Sequence, residues 1–270
     1  MVPRVQGWTI MYPQHHRPNP PAIGDPQFRR ALVQAIDRQQ MADSIQFGMV
    51  PIAHSFINPQ EPEYRDIEPS IVRYEYDLRR ATQIIEEIGY AKGPDGVYRD
   101  PGTQRLALEV RTTTVLDIHQ KTFLPVVDYW QRLGVAVDPV VLPPQRAVDA
   151  ELRATFPTFE ILRNPTGPSR LGAFHSSQVR LPETNWRGAN YMRYQNAEWD
   201  ALLHRFFTTI PLGERNRVLA QSIHHMTDRL IMMGLFYDTA TLMVGHRMQN
   251  VAVGGQRSLA TWNVHDWDLK

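Results

Sequence analysis

Three consecutive segments limit the fold of this chain more than anything else in it. Leu106 to Thr112 alternates Leu106, Leu108 and Val110 and reads as a strand. Asp117 to Leu133 puts Phe123, Val126, Val127, Trp130 and Leu133 on one helical side, with Pro125 expected to kink the helix or mark a late start. Val135 to Leu142 reads as a second strand. A strand, a helix and a strand at this spacing imply parallel strands joined by a right-handed crossover, hence an α/β protein. Thr158 to Arg163 supplies a third strand.

The flanking segments extend the pattern. Val5 to Tyr12 and Leu230 to Tyr237 are rich in branched and aromatic residues and read as strands. Asp25 to Gly48 reads as one long amphipathic helix. Asp25 caps it, Pro26 suits its first turn, Phe28, Leu32, Ala35 and Ile36 share a face, and Gly48 ends it. Asp77 to Gly89 is a second helix with an apolar stripe of Leu78, Ala81, Ile84, Ile85 and Ile88. Further helices are expected over Pro144 to Ala154, Asn196 to Phe207 and Leu212 to Asp228. Between these lie a turn at Gly93-Pro94-Asp95-Gly96 and Pro-rich or irregular loops at Pro13 to Gly24, Pro51 to Ser70, Asn164 to His175 and Leu181 to Tyr194.

Composition removes several function classes. The 29 Lys and Arg against 28 Asp and Glu leave no basic excess for nucleic acid. The chain has no cysteine, so neither a disulfide framework nor a thiolate metal site is available. No apolar run is long enough to span a bilayer as a helix, and the first ten residues do not read as a signal peptide. His15-His16 and His224-His225 are adjacent pairs, which rarely chelate one ion, and no H-E-x-x-H occurs. There is no G-x-S-x-G elbow. Gly254-Gly255 reads as a turn, and Glu86-Glu87 falls on an exposed helix face. No nucleophile and base can be assembled, so no enzyme and no cofactor are expected.

The wording of the helices is more specific than their periodicity. Arg29-Arg30-Ala31-Leu32, Ala35-Ile36-Asp37-Arg38 and Phe47-Gly48, followed by Pro51, resemble the long-helix phrase of the family 5 extracellular solute-binding proteins, the dipeptide and oligopeptide type that serves ABC importers. Tyr76-Asp77, Ala81 and Gly89-Tyr90 match a second family phrase, Trp130 to Val137 a third, and Asn196, Asp200, Leu202 and Leu203 a fourth. Leu230 to Tyr237 matches a fifth, with Gly234 where the family has proline. Asp37 and Arg38 are sequence neighbours that do not face each other, and each is expected to support packing or a surface pair rather than to touch ligand.

This resemblance implies a periplasmic binding protein type II-like lobe with a mixed, mostly parallel sheet flanked by helices. Family members are exported and about twice this length, so the chain is expected to be the C-terminal half of a longer protein. Residues 1–235 would form its second lobe and 236–270 a return segment toward an N-terminal lobe. The implied activity is capture of a peptide or other small solute by closure of two lobes, for an ABC permease, in a periplasmic or extracellular setting held to the membrane by an anchor or the permease. The hinge is expected near Val5–Tyr12 and Leu235–Val244. The alternatives are the ligand-sensing module of a transcriptional regulator and a small α/β hydrolase.

Ligands of open α/β sheets bind outside the carboxyl ends of parallel strands. Those ends are Arg111-Thr112, Leu142-Pro143 and Arg163-Asn164. Peptide-binding relatives carry an acidic residue in the loop after the third strand, to pair with a free amine. Here that loop, Asn164 to Arg170, has none. Arg163 and Arg170 favour an anionic or carbonyl-rich ligand instead, because guanidinium forks suit carboxylates. The candidate ligand residues are therefore Arg111, Thr112, Arg163, Asn164, Arg170, Asn190 and Tyr191. No metal site is expected, although some relatives bind nickel or haem, which keeps His54 and His175 in view.

Overall fold

The computed structural model describes residues 4–240, 243–252 and 261–270. Its helices are α1 (Pro26–Gln34), α2 (Arg38–Gln46), α3 (Tyr64–Ile67), α4 (Leu78–Glu87), α5 (Asp117–Leu133), α6 (Ala150–Ala154), α7 (Ala197–Thr208) and α8 (Leu212–Asp228). Its strands are β1 (Arg4–Pro13), β2 (Ala91–Lys92), β3 (Tyr98–Arg99), β4 (Ala107–Thr113), β5 (Ala136–Leu142), β6 (Phe159–Pro165), β7 (Met233–Ala240), β8 (Met248–Gln249) and β9 (Asp268–Leu269). Five strands form the central sheet in the order β5-β4-β6-β1-β7. β4 runs parallel to β5 and to β6, while β1 runs antiparallel to both of its neighbours, β6 and β7. Four of the five strands thus point the same way, as expected of a mixed, mostly parallel sheet. β2 and β3 form the hairpin around the turn at Gly93 to Gly96.

Strand alternation sorts side chains onto two faces. Phe159 and Ile161 point to one, where Trp130 of α5 meets Phe159 edge-on at 4.9 Å. The Trp130 indole also donates to the Leu32 carbonyl at 3.0 Å, tying α5 to α1. Trp8, Ile10 and Tyr12 point the other way with Glu160, Leu162 and Asn164, which are their partners in register. There Trp8 packs on Phe56, Phe56 on Phe174, and the Trp199 indole of α7 donates to the Phe174 carbonyl. Both faces are covered, and the buried apolar side chains form one continuous core.

Three expectations are corrected in detail. The segment from Asp25 to Gly48 is two helices rather than one. Asp37 leaves helical geometry (ψ 85°) and caps α2, its carboxylate accepting from the Gln40 amide at 2.9 Å. The break turns Arg38 into the core, where it donates to the carbonyls of Gly234 (3.0 Å), Ala53 (3.4 Å) and Tyr74. No glycine or proline marks that break. Pro125, in contrast, sits inside an unbroken α5. The carbonyl it leaves without an amide belongs to exposed Lys121, which water can serve. Only Ala150–Ala154 is helical in the expected helix from Pro144, because its cap is Asp149, which accepts from the Leu152 amide. Gly254-Gly255 and parts of the expected hinge and return segment lie outside the described residues.

Candidate functional site

Register places the carboxyl ends of β4, β5, β6 and β7 at one edge of the sheet, together with the start of β1: Thr113 is opposite Leu142, Gly7 opposite Pro165, and Arg4 opposite Ala240. Three of the predicted ligand residues stand there. Arg163 bonds Asp238 of β7 at 2.8 Å, reaching across β1 where Gly7 has no side chain. Asn164 donates its amide to the Tyr12 hydroxyl at 2.8 Å. Burial raises the pKa of that phenol, so it stays protonated. Arg170 lies on the 3-10 turn Pro168–Phe174, and its Nε is buried without a hydrogen-bond acceptor. The turn is entered through Gly167 at φ 108°, a conformation that favours glycine, and Asn58 braces the same loop by donating to the Thr166 hydroxyl at 3.0 Å.

The other four are engaged within the fold. The Arg111 guanidinium makes two contacts with Glu109 Oε1, at 2.7 and 3.2 Å, and donates to the Leu152 carbonyl at 2.7 Å. Thr112 is fully buried and gives its hydroxyl to the Ile161 carbonyl. Asn190 is fully buried, donating to the Tyr194 and Phe174 carbonyls at 2.9 and 3.2 Å and accepting from the Tyr194 amide. Tyr191 lies beneath Arg180, whose guanidinium carbon is 3.8 Å from the ring centroid and whose Nη2 bonds the hydroxyl. Arg153 approaches the same ring at 4.9 Å and grips the buried Glu160 carboxylate with Nε at 2.6 Å and Nη2 at 3.1 Å. Burial pushes the Glu160 pKa up and Arg153 pulls against it.

Two residues of the edge escaped the sequence reading. His119, in the first turn of α5, joins β4 to β6: the Arg163 amide donates to its Nε2 at 3.1 Å. Nε2 is therefore the acceptor, and Nδ1 carries the hydrogen that reaches Thr113 Oγ1 at 3.0 Å. Burial, reinforced by Arg153 and Arg163, lowers the His119 pKa to about 4, against an opposing interaction with the Thr113 backbone. Asp238 also accepts from Gln46 at the end of α2 (3.3 Å). The strand-end rule that selected Thr112 could have selected His119, since it opens the helix directly after that strand.

The histidine pairs diverge. His15 is bonded to the Ile231 carbonyl, while His16 lines a different pocket. His224 and His225 both line a surface cleft between α7 and α8, but His225 is buried, stacks on Trp199 and bonds the Tyr194 hydroxyl, whereas His224 is exposed. His175 bonds the Ser177 hydroxyl, and burial lowers the His54 pKa to about 3. Among the described residues, no three His, Asp or Glu side chains are grouped to hold a metal ion.

The mostly parallel five-stranded sheet, covered on both faces and with its strand ends gathered on one polar edge, has the fold of a periplasmic binding protein type II-like lobe. Residues 3–207 match the family of bacterial extracellular solute-binding proteins, family 5, and the chain belongs to it. No curated protein matches the chain. Among solved structures it is similar to the oligopeptide-binding protein AppA of Bacillus subtilis, solved with a nonapeptide (TM-score 0.79, 18% identity, covering 99% of this chain and 51% of that one). It is similar to NikA of Brucella suis, solved with Fe(III)-EDTA (TM-score 0.80, 16% identity, 99% and 52%). An oligopeptide-binding protein of Thermus thermophilus, solved with a pentapeptide, aligns with TM-score 0.73 at 21% identity (87% and 42%). The chain thus spans about half the length of these proteins or somewhat less, and the likeness at such identities is one of fold.

Proposed function

We propose that the chain is one lobe of the substrate-binding component of an ABC importer, capturing a periplasmic or extracellular solute without altering it. The observation that carries this reading is the family match over residues 3–207. The polar strand-end edge gives it a surface. A second lobe closing over Arg163, Asn164 and Arg170 would bury a solute there, and an ABC permease would read the closed form. Arg170 is the residue with unspent hydrogen-bonding capacity, its Nε lacking an acceptor. That favours a carboxylate or a carbonyl-rich solute such as a peptide, since an ionised acceptor makes the stronger bond.

In this reading Arg111, Thr112, Asn190 and Tyr191 act as the frame behind the edge. Residues 1–235 form the lobe and 236–270 return toward the other one. β1, which starts at that edge, and β7, which ends there, pair side by side and supply the crossing strands. The decisive experiment is mass spectrometry of solutes that co-purify with the product of the complete gene, followed by calorimetry of the identified solute. Arg170→Ala is expected to weaken its binding by about tenfold or more, the loss of about 1.4 kcal/mol. Unchanged affinity removes Arg170 from the site, and chemical conversion of the solute overturns the binding role altogether.

A further inference from the structure

At the opposite edge of the sheet lies a pocket of about 570 Å³, lined by Gln14, His16, Arg17, Phe156, Trp186 and Arg193 among others. Gln14 follows β1, and Phe156 precedes β6. The pocket is therefore separated from the strand-end edge by the length of β6, roughly 20 Å for a seven-residue strand. It is independent of the proposed ligand site.

The pocket is built rather than incidental. The Gln14 amide donates to the carbonyls of Ala154 (3.1 Å) and Phe156 (2.9 Å), and its oxygen accepts from the His16 amide (3.0 Å), so the floor is fixed. Arg193 is 8% exposed. Its Nη1 is held by the Ala154 carbonyl at 3.2 Å, but its Nε is buried with no acceptor. Its guanidinium carbon stands 5.9 Å from the centroid of the Trp186 ring. Three lining residues, Arg17 (φ 53°), Trp186 (φ 57°) and Arg193 (φ 58°), hold the left-handed conformation that costs a non-glycine residue about 1–2 kcal/mol. Strain of this kind gathers where side chains must be aimed.

The charges are unbalanced. Two guanidiniums and an imidazole share the pocket with one carboxylate, that of exposed Glu183. Burial and the two arginines lower the pKa of His16, and burial with Arg17 lowers that of Arg193, as expected where positive charge lacks a counter-ion. A bound oxyanion would supply the acceptor that Arg193 lacks and offset the repulsion. The Trp186 face and the buried Phe156 suit a flat apolar body beside the anion. We propose that this pocket is a second binding site, for a small organic oxyanion, a carboxylate or a phosphate ester carried on a planar ring.

The test is calorimetric titration of the full chain at low ionic strength with benzoate, phenyl phosphate and the neutral isostere benzamide. At least one anion is expected to bind at a single site about tenfold or more tighter than benzamide, and the stronger of the two identifies the oxyanion. Arg193→Met is expected to abolish that preference and Trp186→Leu to weaken binding several-fold, while Arg170→Ala at the other edge leaves it unchanged. If Arg193→Met does not fold, exposed Arg17→Gln replaces it, with several-fold weaker anion binding expected. No binding of either anion at millimolar concentration, equal binding of benzamide, or affinity untouched by the Arg17 and Trp186 substitutions would overturn the proposal.

Discussion

Arg163 and Asp238 bond at 2.8 Å although the two strands that carry them, β6 and β7, are not neighbours. The bridge is possible because the strand between them presents Gly7. A Cβ there would lie 2.7 Å from Arg163 Nε and 2.8 Å from the backbone oxygen of Asn164. The guanidinium can shift, but the carbonyl of a paired strand cannot do so without disturbing its ladder. Gly7→Ala is therefore expected to destabilise the protein by about 1–3 kcal/mol, the usual cost of overpacking. Urea unfolding of Gly7→Ala beside Arg163→Met checks this. The Gly7 variant should be the less stable of the two, since it strains the sheet as well as breaking the pair.

Asp37 and Arg38 are adjacent in sequence and unequal in weight. Asp37 caps α2 from a half-buried position, and Asp37→Ala should cost about 1 kcal/mol, as caps do. Arg38 is 5% exposed and serves three carbonyls from α2's neighbours. Arg38→Met leaves those acceptors buried without donors, so a loss of about 3 kcal/mol or more is expected. Equal losses in denaturant titrations of the two variants would refute this division of roles.

That contrast also shows where the sequence was legible. Periodicity and capping residues placed the strands and most helices, because Asp25, Asp77 and Asn196 each accept from an amide two or three residues on. The break before Arg38 carries no proline or glycine; its local mark is the Asp37 cap, while the distant carbonyls that Arg38 then reaches are recorded by no local pattern. The same holds for the site. The strand-end rule singled out one edge of the sheet, and Arg163 and Asn164 do stand at that edge. It could not tell that Arg111 also serves Leu152 or that Asn190 is spent on Phe174 and Tyr194, because those partners are separated in sequence or fixed by loop geometry; Glu109, two residues from Arg111 on the same strand face, was within reach of local reasoning. Asp238 went unnoticed for the same reason, since its partner is 75 residues away.

His119 gives the protein an acid-sensitive seam. Its pKa is lowered to about 4, against about 6.5 in an unfolded chain. Between those values the unfolded state binds a proton that the folded state refuses. The stability contribution is thus whole above pH 6.5 and is lost as pH falls toward 4. The slope is at most about 1.4 kcal/mol per pH unit for each such histidine. His15 and His54, each lowered by burial to about 3, add to it in the same direction. Protonation of His119 would put a hydrogen on Nε2, facing the Arg163 amide that now donates to it. His119→Gln should reduce the slope of unfolding free energy against pH between 6.5 and 4 by up to one proton. An identical slope in the variant would mean that His119 titrates as an ordinary histidine.

Asn190 separates a framing role from a ligand-binding one. Its amide nitrogen faces the carbonyls of Tyr194, Phe174 and, at 3.4 Å, His175, while its oxygen takes the Tyr194 amide. A carboxylate of the same shape can keep the last bond but would turn acceptor against acceptor at the others. Asn190→Asp should therefore be more damaging than Asn190→Ala at neutral pH, where the acid is pressed to ionise among carbonyls. It should recover part of the difference as pH falls toward the ordinary carboxylate range, where its protonated oxygen can donate again. Asn190→Ala itself leaves carbonyls unserved and is expected to cost about 1–3 kcal/mol. Paired urea titrations at pH 7 and pH 4 read both effects. If Asn190→Asp matched the parent in stability while losing solute, Asn190 would belong to the cleft and not to the frame behind it.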